Sequence, residues 1–214
     1  CYVLVMVIFM MIILYGVMVA TSVTVEKSNR SIEVLVTSVD AKYLLFGKVF
    51  AGATAAIVQI GLILASALIG YNINHTYWGD KLDMILKIPG SVLAGFAVFG
   101  IGGFLFYAFL YGAMGALVSK TEDINKSAGT LQMLIMIVYF VVMFQLPTPD
   151  SVVMKICSFL PFSSYSAMFV RIGMGSVTMA EIMTSAVILF VSTFAAGWLA
   201  AKIYRMGTLR YGNP

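Results

Sequence analysis

The sequence predicts an all-α, polytopic integral membrane protein, and three observations carry that prediction. Of its 214 residues 61% are hydrophobic and only 10% charged, and the mean hydropathy is +1.01. Water-soluble domains of this length have far fewer apolar and more charged residues. The charges are also clustered: windows 1–25, 49–79, 88–119, 127–149 and 182–201 contain none. A membrane helix needs about 20 apolar residues, and each window meets or approaches that length.

Taken in order, the windows predict spans over 1–23, 43–70, 91–118, 128–146 and 180–203 within a single transmembrane domain, residues 1–214. Gly52 and Ala56 in the second span, and Gly112 and Ala116 in the third, have the small-xxx-small spacing that lets helix backbones approach. Gly100, Gly102 and Gly103 fit either a hinge or, by the stronger reading, close helix contact. Five crossings place the chain ends on opposite sides. The connections 24–48 and 119–128 and the tail after Ala201 hold nine of the thirteen Lys and Arg residues. The positive-inside bias therefore assigns them to the cytoplasm, with the C-terminus inside and the protein multi-pass in the cell membrane. Three glycosylation tripeptides, at Asn29, Asn74 and Asn125, are read as chance, because two fall on the predicted cytoplasmic side. The chain opens on Cys1 inside apolar sequence, with neither a charged leader nor a cleavage site, and is expected to be a piece of a longer polypeptide.

Composition also excludes function classes. One His (His75) and two Cys (Cys1 and Cys157) supply too few ligands for a zinc, haem or iron-sulfur site, and no disulfide framework is expected. The formal charge of +4 comes from residues that punctuate spans and form no stripe, so no nucleic-acid partner is expected. No Gly-x-x-x-x-Gly-Lys-Ser/Thr loop is present. Gly47-Lys48 lies at a span entrance and lacks the Ser/Thr, so the chain is not expected to hydrolyse ATP by that route.

Residues 26–40 are neither membrane-like nor loop-like. Ile32, Leu35, Val36 and Val39 recur at i, i+3, i+4 and i+7, one helical face. Glu26, Lys27, Arg30 and Glu33 occupy the other, and the Glu26/Arg30 pair adds about 0.2–0.5 kcal/mol of helix support. An amphipathic cytoplasmic helix over 26–39 follows. Its polar face mixes acids with bases, which favours a protein partner over a lipid surface. Asp40 stands where the N-cap of the next helix belongs, and Lys48 can snorkel to the interface.

Residues 147–179 hold two apolar pieces, 152–160 and 162–172, each too short to cross and separated by Pro161. They predict an outer re-entrant helix pair over 152–172. The backbone groups freed by Pro161, with Ser163, Ser164 and Ser166 beside them, must be satisfied in protein or water. That makes the segment either an outer gate, with Pro161, Ser163, Ser164 and Arg171 as its candidates, or a static plug. Thr178 and Glu181 form a capping box at the start of the last span, which accounts for Glu181 without a proton-relay role.

These residues also carry a resemblance. Glu26-Lys27, Arg30, Glu33-Val34-Leu35 and Thr37-Ser38, followed by Leu44 and Gly47-Lys48, resemble the pattern E-K-x-x-R-x-x-E-x-L-x-[TS]-S with L-x-x-G-K. That pattern belongs to type-2 ABC-exporter membrane subunits, particularly the sodium-exporting and multidrug permease branch. Phe159-Leu160-Pro161-Phe162 with Arg171 resembles the family's outer re-entrant segment, and Ala200 to Arg205 with Tyr211-Gly212 its C-terminal signature. The resemblance implies that helix 26–39 is a coupling element docking on a separate ATP-binding cassette subunit through Glu26, Lys27, Arg30, Glu33, Leu35, Thr37 and Ser38. Lys120, Glu122 and Asp123 become secondary cytoplasmic contacts. It further implies no catalytic, nucleotide or metal site on this chain, ATP and Mg held by the partner, and a second permease subunit, identical or paralogous. The family's first span and, in the sodium-exporting branch, its large outer domain would precede Cys1.

The resulting expectation is a transport subunit of an ATP-driven exporter, not an enzyme. A membrane-embedded enzyme would need a nucleophile with a base, or a metal, at membrane depth, whereas His75 sits in an outer loop beside Tyr77 and Trp78. A secondary transporter ordinarily uses intramembrane carboxylates or lysines, and these spans offer only Gln59, Gln132, Gln145, hydroxyls and tyrosines. A self-contained channel leaves helix 26–39 unexplained. The cargo, whether a sodium ion, drug, peptide or lipid, stays open.

Overall fold

Segments that are apolar on every side, uninterrupted by Pro, fold as helices that bury no single preferred stripe. The computed structural model describes residues 2–29, 38–73, 89–118 and 123–209. Seven α-helices follow in chain order: α1 (Tyr2–Ser28), α2 (Ala41–Ile73), α3 (Gly90–Leu117), α4 (Ile124–Gln145), α5 (Val152–Phe159), α6 (Ser164–Met174) and α7 (Met179–Leu209). Among the described residues every regular element is helical. α1, α2, α3, α4 and α7 are long and apolar enough to cross a membrane, and each overlaps one expected span.

α3 is the centre of the bundle. More than half of its span is buried, 56%, against 12% for α2 and 22% for α4. Its aromatic residues reach two neighbours: Phe109 lies 4.9 Å from Phe46 of α2, while Phe96 and Tyr107 lie 5.7 and 5.6 Å from Phe169 and Tyr165 of α6. These tilted and edge-on pairs add about 0.5–1.5 kcal/mol each beyond the area they bury. α4 joins α1 through the Phe9–Tyr139 stack, centroids 4.3 Å apart.

Close approach explains two glycines. A Cβ at Gly115 would stand 2.5 Å from the Ala20 carbonyl oxygen of α1, and one at Gly103 would collide with the Tyr165 side chain of α6. Gly103 therefore serves contact between α3 and α6, as the stronger reading of the glycine cluster expects.

Two boundaries differ from the sequence reading. α1 does not end at Val23: it continues through Glu26 and Lys27 to Ser28, because Thr24 is accommodated by donating its hydroxyl to the Ala20 carbonyl one turn back. Glu26 and Lys27, where the amphipathic helix is expected to begin, thus belong to the helix of the first span, and residues 30–37 of that expected helix lie outside the described residues. α2 likewise runs past Gly70 to Ile73.

Candidate functional sites at the two ends of the bundle

One end of the bundle gathers the last turn of α1, the first turns of α2 and the last turn of α3. The Lys48 ammonium donates to Ser22 Oγ at 2.8 Å and pairs with the Glu26 carboxylate. Both side chains are largely sheltered, 16% and 27% exposed, so Lys48 fastens α2 to α1 and does not snorkel outward. Lys27 is buried, and its Nζ donates to the Ala116 carbonyl at 2.8 Å. Thr24 Oγ1 donates to the Gly115 carbonyl at 3.0 Å. Carbonyls of the last turn of a helix have no partner within it and carry partial negative charge, so a buried ammonium there is well placed. These bonds join the root of the α1–α2 connection to the central helix.

Of the residues expected to contact a cassette, Glu26 and Lys27 therefore face neighbouring helices and Ser38 is exposed. Arg30, Glu33, Leu35 and Thr37 lie outside the described residues, as do Lys120 and Glu122. Asp123 is exposed and pairs with Lys126 at 3.7 Å. Asp40 caps α2 as expected, its Oδ1 accepting from the Lys42 N–H at 3.3 Å. That hydrogen bond, with the charges of Lys42 and Arg205, holds its carboxyl below the usual carboxylate value.

The opposite end is closed by the α5–α6 hairpin. Every residue from Ser164 to Arg171 is buried, so this helix is packed on all sides. Pro161 breaks the chain between the two pieces, and the groups it frees are satisfied in protein. The Tyr107 hydroxyl of α3 donates to the Phe162 carbonyl at 2.6 Å, and Ser163 Oγ donates to the Cys157 carbonyl at 2.7 Å. Ser163 and Ser164 are 3% and 1% exposed, while Pro161 is half-buried.

Arg171 is wholly buried. Its Nη1 donates to Ser158 Oγ at 2.8 Å, its Nη2 to Glu181 Oε1 at 3.1 Å, and its Nε lies 3.8 Å from Asp150 Oδ1. One guanidinium thus ties α6 to α5, to α7 and to the turn after α4. Asp150 in turn accepts from the Ser176 N–H and hydroxyl, bonds that, with Arg171, lower its pKa. The capping box forms, with Thr178 N–H donating to Glu181 Oε2 at 3.0 Å and Glu181 N–H to Thr178 Oγ1 at 3.3 Å. Sequence reasoning assigned Glu181 to this cap alone and missed its ion pair with Arg171. The separation of ten residues across a turn carries no helical periodicity that would have revealed it.

Between α1, α2 and α3 lies an apolar recess of about 280 Å³, lined by residues including Ile12, Ala56, Ile60, Phe96 and Phe104. Among the described residues no three His, Cys, Asp or Glu side chains group as a metal-ligand set.

Five helices long and apolar enough to cross a membrane, with a buried hairpin at one end, define a multi-pass helical membrane protein. Residues 2–202 match the family model of the ABC-2 family transporter proteins, and the chain belongs to that family as a permease component. It is 26% identical to the uncharacterized protein YhaP of Bacillus subtilis (strain 168), over 99% of this chain and 52% of that protein. It is 28% identical to the uncharacterized protein MJ1024 of Methanocaldococcus jannaschii, over 90% of this chain and 45% of that protein. The chain thus spans about half the length of these relatives. No solved structure gives a significant match.

Proposed function

We propose that this chain is the pathway-forming permease part of an ATP-driven exporter, and that a separate ATP-binding cassette subunit docks on the connection between α1 and α2. The observation that carries the proposal is that the last turn of α1, at the root of that connection and within a chain of this family, is tied to α2 through Glu26–Lys48 and to α3 through Lys27 and Thr24. A segment that starts from so firm a root moves the helices tied there. ATP-driven closure of paired cassettes then displaces the docking segment, α1 and α3 follow, and the far end opens at the α5–α6 hairpin. Coupling is a matter of differential contact in two states; ATP and Mg belong to the partner. Two permease subunits, identical or paralogous, enclose the pathway. The Lys48 end and the C-terminus face the cytoplasm, in keeping with the distribution of Lys and Arg.

Affinity purification of the full-length protein from native membranes tests this reading. A cassette subunit and ATPase activity are expected to co-purify, and both to be lost on charge reversal at Arg30 and Glu33. A stable complex with neither would overturn it.

A further inference from the structure

On the Lys48 end, three cationic side chains from two helices converge on one cleft. Lys42 comes from the start of α2, and Lys202 and Arg205 from the end of α7. With Asp40, Ala201 and Trp198 they line a volume of about 350 Å³. Among the described residues that line it three are cations and one is a carboxylate, Asp40, which pairs with Lys42 at 3.4 Å, so this lining is net positive. A bias toward basic residues on one side of a membrane accounts for their presence, but not for their meeting around a concavity.

The cleft also has a defined depth. Lys202 is the first charge after the charge-free window 182–201. Trp198 lies one turn deeper, about 6 Å along the axis, with the Lys202 ammonium 5.6 Å from its ring centroid. Lys42 stands 4.9 Å from the ring of Tyr43. Cations over interfacial aromatic rings mark headgroup level. Below Trp198, which is 60% exposed, the exposed side chains Phe194, Val191 and Val187 descend α7 at the spacing of a single helical face. An anion held in the cleft would have an open apolar track directly beneath it.

We propose that Lys42, Lys202 and Arg205 form a binding site for a phosphate anion, of the kind an anionic phospholipid presents at its headgroup, with the acyl chain lying along Trp198, Phe194 and Val191. The site is independent of the exporter reading and stands whether or not a cassette docks. Asp40 caps α2 and opposes the anion, so Asp40→Asn, which keeps a good cap, tightens binding.

Native mass spectrometry of the full-length protein, titrated with phosphatidylglycerol or with phosphatidylcholine of the same acyl chains, tests the site. Thermal unfolding in lipid-free detergent serves to confirm that each variant is folded. The wild type is expected to retain phosphatidylglycerol preferentially. Each cation removed is expected to weaken that retention about fivefold, so Lys202→Gln with Arg205→Gln weakens it about 25-fold. Lys155→Gln, exposed on the hairpin at the other end, leaves it unchanged. Equal retention of the two lipids, or an equal loss in Lys155→Gln, overturns the proposal. Inorganic phosphate separates the sources: failure to displace the lipid at millimolar concentration supports the headgroup, and displacement overturns the lipid assignment in favour of a free phosphate.

Discussion

Arg171 is a charge with no solvent, and its cost of burial is offset only by the groups around it. Removing one partner from a buried ion pair destabilises by about 3–5 kcal/mol, because the other charge is left uncompensated. Glu181→Gln keeps an oxygen that can accept from Arg171 and leaves Asp150 beside it, so the guanidinium is not stranded. Arg171→Ala removes the bonds to Ser158 and Glu181 together and empties a wholly buried site, and is expected to lower the thermal unfolding midpoint in detergent more than Glu181→Gln. Arg171→Lys behaves like the alanine variant, since an ammonium cannot reach Ser158, Glu181 and Asp150 together. Equal effects of Arg171→Ala and Glu181→Gln would show the contacts to be incidental. Asp150 adds a pH dependence whose sign is fixed. Its carboxyl is held below the ordinary 3.8 by the Ser176 bonds and Arg171. Its contribution is therefore complete above that value and lost as pH falls through the lower, folded value. The gap in melting temperature between wild type and Asp150→Asn is expected to be constant near neutrality and to close at the acid end, below about pH 4.

At the scale of elements, contact between α3 and α6 decides where the hairpin sits, and Gly103 sets that contact. Gly103→Ala would force Tyr165 or the whole of α6 to move, at an overpacking cost of about 1–3 kcal/mol. Gly61→Ala in α2, whose added Cβ meets nothing within 4 Å, is the matched control and is expected to be neutral or slightly stabilising. Equal melting temperatures for the two variants would mean that α3 and α6 are not packed as described. The same contrast shows what the sequence could reveal. Five spans were legible because charge is confined to their ends, and the hairpin because Pro161 divides two pieces too short to cross. The continuation of α1 past Val23, the inward turn of Lys48 and the burial of α6 from Ser164 to Arg171 were not legible. In spans that are apolar on every side, periodicity does not say which face meets protein and which meets lipid. Nor does a lysine at a span entrance say whether it turns to water or to Glu26. Arg171 was legible as a gate candidate in the hairpin, but its partners Ser158, Asp150 and Glu181 come from three other segments.

On the scale of the whole molecule, the two ends are connected through α3. Lys27 and Thr24 of α1 hold the carbonyls of its last turn, and Tyr107, near its middle, holds the Phe162 carbonyl beside the hairpin break. Spatial continuity alone does not establish coupling; a two-state element biased from both ends does. If α1 and α3 carry motion from the connection to the hairpin, the joint at Lys27 is where it passes between them. A charged hydrogen bond of this kind contributes about 1.5–3 kcal/mol, roughly 10- to 100-fold in a conformational equilibrium. Lys27→Met keeps the length and apolar stem of the side chain but removes the donor. In the full-length complex it is expected to leave the cassette bound and basal ATP hydrolysis in place, because the donor points to α3 and away from the docking surface. The readout is a cysteine introduced at Ser164, a position 1% exposed in this conformation. Its labelling should rise with ATP in the parent protein and lose most of that response in Lys27→Met. An unchanged response would mean that the joint is only a structural tie. Loss of the cassette itself would mean that Lys27 belongs to the docking surface after all.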